Sequence, residues 1–99
     1  MRKGILEYCI FLILNQRKAY ANDIIQLLQE ARLIVVEGTL YPLLTRLKNM
    51  NLLTYQWIES NQGPPRKYYE LTSEGEQFLS ELEQAWNEVA NTVNHLKEL

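Results

Sequence analysis

A single cysteine, Cys9, in 99 residues excludes a disulfide framework and any cysteine-based metal cluster within one chain. It fits a reducing cytoplasm. Three prolines and four glycines are too few for a collagen-like or low-complexity chain, and an apolar fraction of 46% excludes disorder. Long apolar runs are missing too. The longest, Tyr8 to Leu14, falls far short of the ~20 residues a membrane span needs. Arg2 and Lys3 precede it, but it lacks the length and small-residue cleavage site of a signal peptide. Catalytic chemistry is equally scarce. His95 is the only histidine and sits near a helix end, and Cys9 lies in the most apolar segment. No acid/base pair, metal-ligand spacing or phosphate-cradling glycine loop is present. No enzyme activity, cofactor or metal is expected.

Positive charge is nearly absent from the last third. Residues 68–99 hold Lys97 against seven glutamates, a balance of −6, whereas residues 1–67 hold nine Lys/Arg against five Asp/Glu, a balance of +4. A net charge of −2 therefore conceals a basic body and an acidic tail. The length fits one compact unit with a thin core, for which a partner chain is a natural support.

The segment Ile5–Leu14 is apolar nearly all round and reads as a buried helix. A polar break at Asn15–Lys18 precedes Tyr20, Ile24, Leu27, Leu28 and Ala31, whose spacing predicts an amphipathic helix over Tyr20–Glu30. Arg32–Val36 is a connector or brief strand. Leu40, Leu43, Leu44 and Leu47 form one stripe of a third helix, about Glu37 to Met50. Pro42 is tolerable only in a first turn, so the regular helix is expected to start at Thr39–Tyr41. The opposite face carries Gly38, Tyr41, Pro42, Thr45, Arg46 and Asn49, polar and free of acid.

Leu53–Glu59 and Arg66–Leu71 predict two strands of a hairpin, with Asn61–Pro65 as a long polar tip. Thr72 or Ser73 caps a final helix, and Ser73 with Glu76 has the spacing of a capping box. That helix runs to the chain end, ~38 Å for about 25 residues. Along it Leu79, Leu82, Trp86, Val89, Val93 and Leu96 recur every three and four residues, a heptad seam. Its far half outruns the body, which points to homodimerisation. The alternative is that the seam folds back on Ile5–Leu14.

Three helices followed by a hairpin is the order of a winged helix-turn-helix. The expected fold is thus mainly α with a small β-hairpin, residues 1–72 binding DNA and 73–99 dimerising. In that arrangement the second helix braces the third, whose low, acid-free face suits a major groove ~12 Å wide. Arg46 can reach a guanine edge or a phosphate. Thr39, Tyr41 and Lys48 lie at the margins, where phosphates run, and Asn61, Gln62, Arg66 and Lys67 of the wing lie along the backbone or minor groove. A dimer then predicts a palindromic double-stranded operator, half-sites ~34 Å apart. A competing reading is a dimeric protein–protein interaction module without DNA binding. It would use the acidic face of the last helix, Glu74, Glu76, Glu81, Glu83 and Glu88.

The blocks Gly38-Thr39-Leu40-Tyr41-Pro42-Leu43-Leu44-Thr45-Arg46-Leu47 and Gly63-Pro64-Pro65-Arg66-Lys67-Tyr68-Tyr69-Glu70-Leu71-Thr72, with Gly75 after them, resemble the PadR family of bacterial transcriptional regulators. The single terminal helix is similar to that of its short branch. The resemblance implies a cytoplasmic homodimeric winged-helix repressor, dimerised through its last helix with help from the first and released from DNA by small, often aromatic, compounds. Carried over by position, it assigns DNA contacts to Thr39, Tyr41, Pro42, Thr45 and Arg46, and in the wing to Gly63, Arg66, Lys67 and Tyr68. Where the family commonly has Gly-Tyr-Glu, this chain has Ala21-Asn22-Asp23, so Asn22 stands in for a tyrosine phosphate contact. Trp86 coincides with a tryptophan that lines the effector cleft between subunits in multidrug-binding members, and Val89, Ala90 and Val93 would line the same space.

Overall fold

In the computed structural model, which describes residues 2–99, the elements follow in the order α1 (Arg2–Gln16), β1 (Ala19–Tyr20), α2 (Ala21–Glu30), α3 (Glu37–Asn49), β2 (Leu53–Ser60), β3 (Gly63–Leu71) and α4 (Ser73–Lys97). The sheet is antiparallel in the order β1-β3-β2. Ile10, Phe11 and Leu14 of α1 form the centre of the core, and Ile24 and Leu28 of α2 and the α3 leucine stripe close around them. Each such side chain contributes about 1.5–3 kcal/mol by leaving water. The architecture is the expected one, a mainly helical winged helix with a long last helix.

Both α2 and α3 end in the same way. Arg32 (φ 67°) and Asn51 (φ 64°) adopt the left-handed conformation. In each case the next N–H reaches back five residues, Leu33 to the Leu28 carbonyl (2.8 Å) and Leu52 to the Leu47 carbonyl (3.0 Å). Such a cap satisfies last-turn carbonyls and pins an apolar residue to the core. Arg32–Val36 is therefore a connector, not a strand.

α3 starts earlier than the proline argument allows. Its N-cap is Val36 and Pro42 lies inside the helix. The Val36 carbonyl accepts from the N–H groups of Thr39 (3.0 Å) and Leu40 (3.1 Å), so the first turn closes ahead of the proline. Pro42 withholds a donor only from the carbonyl of Gly38, which lies on the exposed face where water can serve it.

The wing also departs from expectation. β1 adds a short third strand, Ala19 opposite Tyr69 and Tyr20 opposite Tyr68, and Lys18 reinforces it with an ion pair to Glu70 (3.2 Å). The tip is shorter than a five-residue loop, because β3 already begins at Gly63, opposite Ser60. The register shifts between Ile58 and Ser60, so Pro64 and Pro65 sit at an irregularity, where prolines without N–H groups are tolerated in a strand.

Thr72, not Ser73, caps α4. Its hydroxyl accepts from the Gly75 N–H (2.9 Å) and donates to the Asn51 carbonyl (2.7 Å), tying the helix start to the end of α3. Glycine is required at position 75 because a Cβ there would lie 2.1 Å from the Leu52 carbonyl oxygen. From this anchor α4 extends the molecule to 60 × 28 × 21 Å. Its first half packs on α1, with Phe78 against Phe11 (centroids 5.5 Å apart) and Trp86 stacked on Tyr8 (6.0 Å, 12°). Along the seam Leu79 is buried and Leu82 and Trp86 are half-buried, whereas Val89, Val93 and Leu96 are 47%, 44% and 57% exposed. Folding back on α1 thus covers the near half of the seam and leaves the far half bare.

Candidate nucleic-acid interface

Burial of the α3 leucines turns the opposite face outward, and Gly38, Thr39, Tyr41, Pro42, Thr45, Arg46 and Asn49 are all exposed. Neither packing nor backbone explains Gly38. Nothing lies within 4 Å of where its Cβ would be, and its φ is not positive. Its bareness keeps the surface low for whatever approaches from outside.

Between this face and the wing lies a cleft of about 260 Å³. α3 contributes Tyr41 and Thr45, the start of α2 contributes Asn22, and the wing contributes Trp57, Pro65, Arg66 and Lys67, with Tyr20 and Tyr69 deeper in the wall. No carboxylate lines it. Asp23, the nearest acid in sequence to Asn22, accepts from the Tyr20 N–H (2.9 Å) and so serves the start of α2.

The wing's cations are held by aromatic faces. The Arg66 guanidinium lies 3.8 Å from the Tyr20 ring centroid, and the Lys67 ammonium 4.7 Å from Tyr55 and 5.3 Å from Trp57. Such contacts limit the rotamers of long side chains and so reduce the entropy lost when a phosphate is bound. Burial pushes the Tyr69 hydroxyl above its ordinary range, with the Tyr55 and Tyr41 hydroxyls adding to the effect. The cleft presents cations, hydroxyls and one amide, a donor-rich lining matched to phosphate and base-edge acceptors.

Arg46 does not lie in that cleft. It lines a neighbouring groove along α3 with Tyr41, Pro42 and Asn49, and its guanidinium forms an ion pair with Glu7 of α1. The face expected to be acid-free is therefore met by one carboxylate, brought from 39 residues away. Gly38 and Thr39 lie at the start of α3, outside both hollows, and Gly63 lies at the wing tip. Lys48 lines a recess against the wing, 5.9 Å from the Tyr55 ring. Tyr68 faces away from the cleft and packs on Tyr20 (4.7 Å).

Sequence reasoning missed Trp57 and Tyr20 as wall residues. The available signal was strand alternation, which puts Trp57 on the same side as Tyr55 and, across the hairpin, opposite Lys67. At the other end of the molecule one face of Trp86 is already covered by Tyr8, while Val89, Ala90 and Val93 are exposed. Burial raises the Tyr8 hydroxyl above its ordinary value, and the Glu83 carboxylate raises it further. Among the described residues no His, Cys, Asp and Glu cluster could hold a metal, and no helix is long and apolar enough to cross a membrane.

The chain matches the model of the transcriptional regulator PadR-like family over residues 10–81. A PadR-like transcription factor from Bacteroides fragilis is 71% identical with a TM-score of 0.89, covering 97% of this chain and 93% of that one. A PadR-like transcriptional regulator from Bacillus cereus is 38% identical, TM-score 0.83, with coverage of 98% and 95%. A Streptococcus transcriptional regulator is 35% identical, TM-score 0.85, with coverage of 96% and 94%. These relatives are regulators rather than enzymes. With the helix face, the basic wing and these matches together, the chain belongs to the PadR-like family of transcriptional regulators.

Proposed function

We propose that this chain is a sequence-specific, homodimeric repressor that grips a palindromic operator and lets go when a small aromatic compound binds. The observation that carries the DNA-binding part is the cleft, in which α2, α3 and the wing bring Asn22, Thr45, Arg66 and Lys67 together with no carboxylate in the wall. Residues 1–72 form the DNA-binding unit and residues 73–99 the dimerising one. In the groove, α3 reads base edges through Gly38, Pro42 and Thr45, with Tyr41 at the margin on a phosphate. Asn22, Thr39, Lys48, Arg66 and Lys67 hold phosphates, Gly63 lets the wing tip approach closely, and Tyr68 supports the wing from behind. Arg46 joins the contact when it leaves Glu7.

The dimer part rests on the bare far half of the α4 seam, whose Val89, Val93 and Leu96 find no cover within the chain. Pairing there would continue the seam beyond Leu79, Leu82 and Trp86, which already pack within the chain. It would also bring two Trp86 rings towards each other, with Val89, Ala90 and Val93 around them. A flat aromatic compound wedged there changes the crossing of the two α4 helices and so the spacing of the two α3 faces, the two-state element a ligand can bias.

Selection of genomic fragments by the purified protein tests the reading. Recovery of two-fold symmetric sequences with half-sites ~34 Å apart, retained less as salt rises, supports it. Failure to retain DNA or heparin even at low salt refutes it and favours a protein-binding role for the acidic α4 face. Aromatic compounds that release the recovered fragment while quenching Trp86 emission would support the effector part.

A further inference from the structure

Trp57 is the largest side chain on the wing, and it is 59% exposed. An isolated exposed apolar residue needs no explanation, but this one is braced. It stands edge-on to Tyr55 (5.7 Å, 88°), faces Lys67 across the strand pair and has that ammonium beside its ring. Tyr55 and Tyr69, on the same side of the hairpin, pack towards Leu44 and Thr45 of α3. Trp57 follows two residues nearer the tip, where α3 no longer covers the sheet. Its ring therefore forms the outer wall of the cleft whose inner wall is Tyr41 and Thr45.

We propose that Trp57 is a DNA contact of the wing, resting its ring on the sugars of the strand that passes between α3 and the hairpin. This rests on the DNA-binding reading above and adds an apolar element to it. Charge complementarity selects a nucleic-acid backbone as the occupant, because Lys67 lies beside the ring, Arg66 lines the same cleft and no carboxylate does. The one nearby acid, Glu59, lies outside the cleft, in an adjoining hollow that it shares with Trp57, Pro64 and Pro65. The indole suits the position because its apolar faces cover sugars while its N–H serves a phosphate as donor. Lys67, steadied on the same ring, takes the adjacent phosphate. The ring is already fixed by its neighbours, so little freedom is lost on binding.

The chain has two tryptophans, so protein labelled with 5-fluorotryptophan gives two fluorine resonances, assigned with W57F and W86F. A selected duplex of roughly 30 base pairs, enough for two half-sites a turn apart, is titrated into the labelled wild type. The Trp57 resonance is expected to move on saturation. W57A should bind about tenfold more weakly, in the range of aromatic–nucleotide contacts, with an unchanged salt slope because no charge is lost. K67A, by contrast, should flatten the slope by about 0.9 per half-site. A duplex that is retarded by the protein while the Trp57 resonance stays fixed overturns the proposal and leaves the DNA-binding reading intact. So does a W57A variant that binds as tightly as wild type. A protein that retains no duplex at all overturns both. The resonance test needs no truncated variant to fold.

Discussion

Glu7→Gln should tighten DNA binding, because Glu7 competes with the duplex for Arg46. The two side chains pair while only partly exposed, 43% for Arg46 and 19% for Glu7. A pair of this exposure contributes no more than about 1 kcal/mol, and glutamine keeps the shape while removing the charge. The fold should lose at most that amount, seen as a fall in Tm of at most ~4–8 °C for a domain of this size. The duplex, relieved of breaking the pair, should gain up to the same 1 kcal/mol at each half-site, about fivefold. Arg46 reaches its phosphate in both complexes, so the slope of log K against log salt should stay as in wild type while the affinity rises. Fluorescence anisotropy on a selected operator at several salt concentrations measures both quantities. Two controls complete the cycle. Arg46→Ala alone should weaken binding less than Lys67→Ala, and Glu7→Gln should have no effect once Arg46 is alanine. A Glu7→Gln protein whose affinity matches wild type would refute the reasoning and reduce the pair to a brace between α1 and α3.

Gly75→Ala should destabilise the protein by about 1–3 kcal/mol, since the new methyl would drive into the Leu52 carbonyl; urea unfolding measures it, and an unchanged midpoint would show that the α4 start can move aside freely. Val93→Glu should leave the monomer's fold unaffected, because the side chain is exposed within the chain. In the proposed dimer it buries an unpaired charge at about 3 kcal/mol or more, weakening association on the order of a hundredfold, which sedimentation equilibrium would read. Burial raises the Cys9 thiol above its ordinary value, so the neutral form is favoured by folding. The resulting stability is fully present below the unfolded thiol's pKa, about 8.5, and is lost as pH rises through the higher folded value. Cys9 should accordingly react with a disulfide reagent at pH 8 far more slowly in the native protein than in urea, and equal rates would contradict the burial.

The parts of the fold legible in advance were those that repeat at a period. The leucines of α3 and the seam of α4 each recur at helical spacing over several turns, and solvent alone sorts such patterns into buried and open faces. Ile5–Leu14 was readable as core because it is apolar on nearly every side, with Glu7 its one charged residue. The wing was less legible. β1 has two residues, too few for any alternation, and exists because β3 offers it an edge. The start of α3 was misplaced because the rule for Pro42 treats every lost helix hydrogen bond alike, whereas the carbonyl deprived here belongs to an exposed residue. The α4 cap fell to Thr72 because its hydroxyl also reaches the Asn51 carbonyl, a partner that only folding brings near.

The same division runs through the interface. Residue types and spacing were enough to specify two helices meeting under a basic hairpin, and which face of α3 stays outside, since each depends on neighbours a few positions away. That Arg46 is held by Glu7, that Arg66 lies over Tyr20, and that Trp86 already leans on Tyr8 depended on how the elements cross. Such contacts join residues far apart in the chain, with their geometry set by the packing of the whole core, and no local pattern encodes them.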